Sequence, residues 1–158
     1  GMTRTGYVLP RWDPRDVAVE YDAAGRAQGR PYDHPWASDG PYWNLRGNGG
    51  LLSTARDLFR WHRALAGTAV LTESAKRELF RPRVPTQDGE SYAYGWDVKD
   101  GFAWHDGGNG WSLALLGRWA RDGTVVFWVS NHASTALEDS ALDLTRGMAD
   151  RVRTMGEQ

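Results

Sequence analysis

The chain has no cysteine in its 158 residues, which excludes disulfide bonds and thiol chemistry. It also lacks any apolar run near the roughly 20 residues that a membrane-spanning helix needs, so no membrane partner is expected. No signal peptide is recognisable, because Arg4, Arg11 and Asp13 interrupt the first residues. As it stands, the chain is therefore expected to be cytoplasmic.

The chain also has no excess of positive or negative charge. The formal net charge is −1, which gives no electrostatic reason to expect nucleic acid as a partner. His34, His62 and His132 show no metal-like spacing, and we interpret them as surface or packing residues. No metal site and no cofactor are predicted.

Tryptophan is the residue in excess, with nine copies. Its large apolar area and single donor suit either a packed core or a surface on which a ligand stacks. The tryptophans are scattered through every segment, which favours packing. With 41% hydrophobic residues, the chain can bury a core, and residues 1–158 are predicted to form a single domain.

The first third of the chain has little periodicity. Residues 8–48 hold five of the seven prolines, which predicts long irregular connections with short helical or strand pieces. Order begins where Thr54 and Asp57 make a capping-box-like start, which predicts a helix that ends near Gly67. A second short helix is predicted from Thr72 to Phe80.

Four strands in two hairpins are predicted next. Asp-Gly pairs at 100–101 and 122–123 are strong tight-turn signals, because glycine tolerates a positive φ. The predicted strands are 92–98, 102–105, 111–119 and 124–131. The last of them is apolar without alternation, so we expect it to be a central strand that is covered on both faces.

A helix is predicted after the strands. Thr135 and Glu138 form a capping box at its start. An apolar stripe with a 3.6-residue period is expected to pack along the sheet, and its members are Leu137, Ala141, Leu144, Met148 and Val152. The order of elements predicts an α+β fold, an antiparallel sheet packed by helices.

Three segments occur in an order that resembles a known family. They are 1–7 (GMTRTGY), 49–58 (GGLLSTARDL) and 105–110 (HDGGNG). This order is similar to the downstream half of the serine β-lactamase-like family, which includes class C β-lactamases, DD-peptidases and related esterases. The resemblance covers roughly residues 2–155 and implies a partial β-lactamase/transpeptidase-like fold.

The resemblance implies roles for one strand end. His105 stands where the family has Lys or His, near the proton network of the nucleophile. The backbone N–H of Gly108 stands where the family donates one of its two oxyanion-hole hydrogen bonds. These two are the implied catalytic residues. Asp106, Gly107 and Asn109 are the implied substrate-binding residues, Gly107 because a missing Cβ lets a substrate lie against the strand.

Asp106 departs from the Thr or Ser that the family usually has. An aspartate repels a substrate carboxylate, which favours a neutral ester or amide over a penicillin-like substrate. Two structural roles also remain open for it, orienting His105 or capping the turn at Asn109. Without the resemblance, a His before Asp-Gly-Gly is equally explained as turn chemistry.

The nucleophile that the family requires is missing from this sequence. Family catalysis needs a Ser-x-x-Lys pair, in which the Lys activates the Ser. Lys76 and Lys99 are the only lysines, and neither has a Ser three residues before it. The segment 42–44 spells Tyr-x-Asn, but it follows the Gly-Met-x-x-Thr segment instead of preceding it, and we interpret it as coincidence.

Two functions follow as expectations. The first is the C-terminal part of a serine hydrolase that acts on an ester or amide through an acyl-enzyme when complete and is inactive alone. The second is a non-catalytic module that binds a peptidoglycan-like or hydrophobic ligand or interacts with a partner. In the family, strands from the start of the chain pair beside the last strand. Without them the 124–131 strand is an exposed apolar edge, and we expect a homo-oligomer.

Overall fold

The computed structural model describes residues 1–7, 11–33 and 47–156. These residues form an α+β fold that contains one six-stranded sheet and a separate pair of short strands. The strands are β1 (Glu20–Tyr21), β2 (Ala27–Gly29), β3 (Val84–Pro85), β4 (Ser91–Tyr92), β5 (Asp97–Lys99), β6 (Phe102–Gly108), β7 (Leu113–Trp119) and β8 (Val125–Ser130). The helices are α1 (Ala55–Ala66), α2 (Glu73–Leu79), α3 (Thr135–Asp139) and α4 (Ala141–Gly156).

The sheet follows the order of the chain. Its strands run β3-β4-β5-β6-β7-β8, and each pairs antiparallel with the next. The two predicted tight turns join β5 to β6 and β7 to β8. Asp100 and Gly101 have φ of 50° and 79°, and Gly123 has φ of 72°, so both Asp-Gly turns use the left-handed backbone that the sequence predicted.

Helices cover both faces of the sheet. Alternation along β6 sends Ala103 to one face and Phe102 and Trp104 to the other. The first face packs against α1 and α2 through a cluster of Leu65, Ala93, Trp96, Val98 and Ala103. The second face packs against α3 and α4 through a cluster of Phe102, Trp104, Leu113, Leu115 and Ala141. Most tryptophans of the described chain join these two clusters, as the packing interpretation predicts.

The start of α1 joins two of the sequence motifs. Thr54 caps the helix by accepting a hydrogen bond from Asp57 N at 3.2 Å, and Gly67 ends it, so both predicted boundaries are confirmed. Asp57 is 1% exposed. Its carboxylate accepts from Arg4 N at 2.7 Å and from Thr5 Oγ1 at 3.0 Å. The buried carboxylate therefore ties the first segment of the chain to the helix start.

The predicted strand 92–98 is wrong, because the chain turns back within it. Ala93 N donates to Trp96 O at 2.7 Å, and Gly95 has φ of 79°. This turn separates β4 from β5, which then pair antiparallel. Burial of Trp96 against Leu65 stabilises the turn and outweighs the strand preference of the segment.

The predicted terminal helix is interrupted once. Ser134, not Thr135, is the N-cap, since its side chain accepts from Leu137 N at 3.2 Å. Ser140 then separates α3 from α4 and bonds back to Ala136 O at 2.7 Å. A side-chain hydroxyl that competes for backbone groups in this way ends the first helix.

The predicted apolar stripe of the last helix is confirmed at its start, where Leu137 and Ala141 pack into the cluster on the sheet. It is wrong further along. The buried residues of α4 are Ala141, Thr145 and Ala149, whereas Leu144 and Met148 are more than a third exposed. Small residues are needed there because the helix lies close to the strands, and Thr145 Oγ1 accepts from Trp128 Nε1 at 2.8 Å. An apolar surface of α4 therefore remains uncovered by the described residues.

The last strand is covered on both faces, as its apolar pattern predicts, because α1 and α4 both contact β8. It is not a central strand, however. β8 is the end strand of the described sheet, with β7 as its only strand neighbour there. Val126 is buried and Val129 is 61% exposed. The apolar composition of β8 thus reflects its two helical covers and not two flanking strands.

Candidate functional site

The second half of β6 is the exposed part of this strand. The residues from His105 to Gly108 all lie at the surface, whereas Phe102 to Trp104 are buried. On one side, β7 pairs with the whole of β6, up to Gly108 opposite Leu113. On the other side, β5 pairs only up to Trp104 opposite Asp97. The edge of residues 105–108 thus has no strand neighbour among the described residues.

Alternation divides the predicted site residues between two faces. His105 and Gly107 share the face of Ala103, on the side of α1, and Asp106 belongs to the opposite face. No hydrogen bond from Asp106 to His105 or to the Asn109 turn occurs in the described structure. Neither of the structural roles considered for Asp106 is therefore supported by a contact.

Negative charge accumulates on the face of Asp106. Burial raises the pKa of Asp97, and the charges of Asp106 and Glu90 raise it further, while His105 opposes them. Asp97 is the strand partner of Trp104, so it lies diagonally across from Asp106 on the same face. This arrangement disfavours an anion beside Asp106.

The two glycines of the strand end differ in their surroundings. A Cβ added at Gly107 meets no atom of the described residues within 4 Å, so none of them covers this residue. A Cβ added at Gly108 comes within 3.2 Å of Ser112 O and 3.4 Å of Leu113 Cδ1. Gly107 therefore leaves room for a molecule outside the strand, whereas a side chain at Gly108 would crowd the following turn.

Asn109 closes that turn with its own side chain. Its Oδ1 accepts from Trp111 N at 3.0 Å and from Ser112 N at 2.8 Å, and its Nδ2 donates to Glu20 Oε1 at 2.8 Å. Ser112 Oγ also donates to this carboxylate. The predicted substrate-binding side chain is thus occupied by bonds that hold the turn after β6.

Glu20 is the residue that sequence reasoning missed. It is 1% exposed, lies on β1, and reaches the turn from 89 residues away. Neighbouring bonds anchor the same region, since Tyr21 N donates to Asn131 O at 2.9 Å and Asn131 Nδ2 donates to Val19 O at 2.7 Å. A lone glutamate in an irregular segment carries no local signal of such a contact, so only the structure could show it.

The remaining histidines conform to the packing interpretation where they are described. His62 is a buried residue of α1, and His132 is exposed beyond the end of β8. His34 and the segment 42–44 lie outside the described residues. In the described part of the chain, no group of His, Asp and Glu is arranged to hold a metal ion.

A cavity of about 440 Å³ lies away from this strand end. Phe102 and Trp119 line it at the opposite end of β6, together with the basic residues Arg146 and Arg153 of α4. It therefore does not contain the predicted site residues. Among the described helices, none is long and apolar enough to cross a membrane.

Comparisons with known proteins agree with this fold. The family model described as Beta-lactamase matches residues 1–147. Among solved structures, the chain is similar to a penicillin binding protein from Bacillus halodurans, with a TM-score of 0.65 and 20% identity. The alignment covers 89% of this chain and 44% of that chain, so this chain spans less than half of that protein's length. No curated protein matches the chain.

Proposed function

The chain belongs to the beta-lactamase family, and from that premise we propose that it supplies the substrate-facing strand of a serine hydrolase that cleaves an ester or amide through an acyl-enzyme. The nucleophile comes from a Ser-x-x-Lys segment that this sequence does not contain. By itself the chain is therefore proposed to bind substrate without turnover.

The observation that carries this proposal is the edge of residues 105–108, which no strand of the described chain covers. An extended substrate can pair with an open strand edge through main-chain hydrogen bonds. Open space over Gly107 permits close approach to the backbone. In the proposed complex, the N–H of Gly108 stabilises the developing oxyanion, and His105 exchanges a proton with the nucleophile's network.

The substrate is proposed to be neutral near Asp106. Asp97 and Asp106 place two carboxyl groups on one face of the sheet, and the raised pKa of Asp97 reports their mutual repulsion in addition to burial. A substrate carboxylate at this position adds a third like charge. An uncharged ester or amide group avoids that cost.

Covalent labelling tests the proposal. The chain as purified is expected to give no stable adduct with a fluorescent penicillin or a fluorophosphonate, and no turnover of a nitrophenyl ester. The coding DNA upstream of this chain is then read in all frames, and a longer protein that contains a Ser-x-x-Lys is expressed. We expect this protein to be acylated by the fluorophosphonate. The Gly107→Ala variant is expected to be acylated more slowly, with a melting temperature that is not lowered.

Other results contradict the proposal. Ester turnover that scales with the short chain shows that a nucleophile exists within it. If no Ser-x-x-Lys is encoded upstream or by a neighbouring gene, the hydrolase proposal fails. Saturable binding of a peptidoglycan fragment without turnover then supports the alternative, a non-catalytic binding module that uses the same free edge.

We also propose that the chain self-associates. β8 presents an open edge with Val129 exposed, and the neighbouring helix α4 exposes Leu144, Met148 and Val152. An open strand edge and an exposed apolar helix surface each favour association with a second copy.

A further inference from the structure

Hydrogen bonds at both ends of the β6–β7 pair determine which way the backbone groups of β6 point. Asn109 N donates to Ser112 O at 3.2 Å at one end, and Ala120 N donates to Gly101 O at 3.2 Å at the other. The register between these two bonds is continuous. Because bonded and non-bonded pairs alternate along an antiparallel ladder, the odd-numbered residues of β6 bond to β7.

The even-numbered residues of β6 direct their backbone groups to the opposite side. Trp104 faces β5, where its strand partner is Asp97. Asp106 and Gly108 direct their N–H and C=O groups to the edge that no described strand covers. The N–H of Gly108 is thus offered to a molecule that lies along this edge. Oxyanion stabilisation requires a backbone donor that is held in this way before the substrate arrives.

The turn of residues 109–112 holds the end of the strand at Gly108. The bond from Asn109 N to Ser112 O directly follows the last strand pair, Gly108 opposite Leu113. Within the turn, Asn109 Oδ1 accepts from Trp111 N at 3.0 Å and from Ser112 N at 2.8 Å. The side chain of Asn109 therefore replaces a backbone acceptor in the turn, and its rotation would loosen the strand end.

Glu20 fixes that side chain from a distant segment. Its Oε1 atom accepts from Asn109 Nδ2 at 2.8 Å and also accepts from Ser112 Oγ. Glu20 is 1% exposed. Loss of a buried acceptor costs more than loss of an exposed one, because water does not replace it. One buried oxygen atom thus holds both ends of the turn.

Glu20 is itself held in a frame of distant segments. Asn131, just after β8, bonds to the backbone of both chain neighbours of Glu20, at 2.9 Å and 2.7 Å. The same segment bonds to the turn, where Ala133 N donates to Trp111 O at 2.8 Å. A functional group is placed accurately when the residues that support it are themselves fixed. The carboxylate of Glu20 meets that requirement.

We propose that Glu20 is a positioning residue that holds the N–H of Gly108 at the open edge through the turn of residues 109–112. Being 1% exposed, it acts through Asn109 and Ser112 and not on the substrate. The use of this N–H to stabilise an oxyanion rests on the proposed hydrolase function.

Amide NMR spectra of the chain test the positioning. Glu20→Met has no acceptor, and we expect it to displace the Gly108 signal. Hydrogen exchange at Ser112 N is expected to become at least about tenfold faster, since a hydrogen bond to a charged group contributes roughly that factor. Glu20→Gln keeps Oε1, the atom that accepts both bonds, and is expected to preserve the Gly108 signal. Gly117→Ala, which crowds β7 away from the turn, is the matched control.

A milder variant decides the matter if Glu20→Met does not fold. Ser112→Ala removes one of the two donors to Glu20 and keeps the bond from Asn109. It is expected to displace the Gly108 signal in the same direction by a smaller amount. A Gly108 signal that stays in place in Ser112→Ala then overturns the proposal.

Acylation of the longer protein by the fluorophosphonate tests the consequence for catalysis. In Glu20→Met, the limiting rate constant of acylation is expected to fall at least about tenfold, because loss of one oxyanion donor costs that much or more. The half-saturating concentration is expected to change little, since the edge itself remains. Glu20→Gln is expected to keep most of the wild-type rate, and so is Gly117→Ala below its melting temperature.

The outcomes separate this proposal from the hydrolase proposal. A Gly108 signal that stays in place in folded Glu20→Met overturns the positioning role, and so does equal acylation of Glu20→Met and Gly117→Ala. An equal loss of rate in Glu20→Gln and Glu20→Met also overturns it, because Oε1 is then not the atom that matters. A wild type that is never acylated contradicts the hydrolase proposal instead, and the NMR spectra then decide the positioning of Gly108 by themselves.

Discussion

At the end of β6, Asn109 and Gly108 have structural roles in the following turn, in addition to or instead of the roles that the family motif implies. The side-chain amide of Asn109 is fully used by the turn. Its Oδ1 accepts from Trp111 N and Ser112 N, and its Nδ2 donates to Glu20. Gly108 gives this turn the space that a Cβ would occupy. Gly107 has no comparable structural constraint. The residue with the least structural reason to be glycine is therefore the one best suited to substrate approach.

This contrast predicts opposite effects of two alanine substitutions. Gly107→Ala is expected to leave the free energy of unfolding unchanged or to raise it by up to about 1 kcal/mol, since glycine inside a strand is unfavourable. Gly108→Ala is expected to lower it by about 1 kcal/mol, because its Cβ crowds Ser112 O. Urea unfolding of both variants checks this. Equal losses in the two would show that Gly107 is also a packing residue.

His62 makes stability depend on pH. Its pKa in the folded protein lies below 6.5, the ordinary value for histidine, because burial and the positive charge of Arg118 both disfavour the protonated form. The unfolded chain therefore binds the extra proton first as the pH falls. The contribution of neutral His62 is fully present above about pH 6.5, and it is lost as the pH falls toward the lower folded value.

We expect the free energy of unfolding of the wild type to fall below pH 6.5, and we expect this fall to be smaller in His62→Gln. Urea unfolding at a series of pH values measures it. His132→Gln, at an exposed histidine, is the control and is expected to follow the wild-type curve. A curve for His62→Gln that parallels the wild type at every pH would contradict the assignment.

At the scale of elements, α4 and the sheet are held unusually close. A Cβ added at Gly117 of β7 comes within 2.9 Å of both Phe102 Cε2 and Thr145 Cγ2. The opposing helix face consists of small residues, Ala141, Thr145 and Ala149. An ion pair between Arg153 Nε and Asp122 Oδ2, 2.8 Å long, joins the C-terminal end of α4 to the turn between β7 and β8. Hydrogen bonds from Thr124 and Arg153 lower the pKa of Asp122 to about 2. The small residues thus determine which face of the helix is buried.

Gly117→Ala is accordingly expected to lower the free energy of unfolding by about 1–3 kcal/mol through overpacking. Gly147→Ala is the matched control, because a Cβ there meets nothing within 4 Å. In a helix this change is expected to raise stability by about 0.5–1 kcal/mol. Thermal or urea unfolding of the two variants checks the pair. A stabilised Gly117→Ala would mean that the helix can move away from the sheet at little cost.

At the scale of the whole molecule, two apolar surfaces are left uncovered by the described residues. One is the open edge of β8, and the other is the exposed side of α4. The aligned solved structure is more than twice as long as the part that this chain matches. Self-association is the proposed consequence for this chain in solution.

We expect a dimer or larger oligomer in light scattering and solution X-ray scattering. Val129→Lys places a charge at the exposed edge of β8 and is expected to shift the protein toward monomer. Val70→Lys, a similarly exposed valine between α1 and α2, is the control and is expected to leave the oligomer unchanged. A wild type that remains monomeric at high micromolar concentration would contradict the proposal.

The residues themselves determined the local features of this protein. Thr54 and Thr72 start helices, and the Asp-Gly pairs at 100–101 and 122–123 form turns. These signals are predictable because each is satisfied by backbone within a few residues of itself. The family was predictable for a related reason, since three short motifs keep their order along the chain.

Tertiary structure decided what depends on contacts between distant segments. Glu20 meets Asn109 from 89 positions away, and no local pattern marks either residue for that bond. After Ala141, the buried residues of α4 are Thr145 and Ala149, which suit the close approach at Gly117 and do not belong to the apolar stripe. The turn at Gly95 arises because Trp96 packs against Leu65. Periodicity reports how apolar a face is, whereas packing depends on how near the opposing surface lies, and that distance is a property of the folded chain.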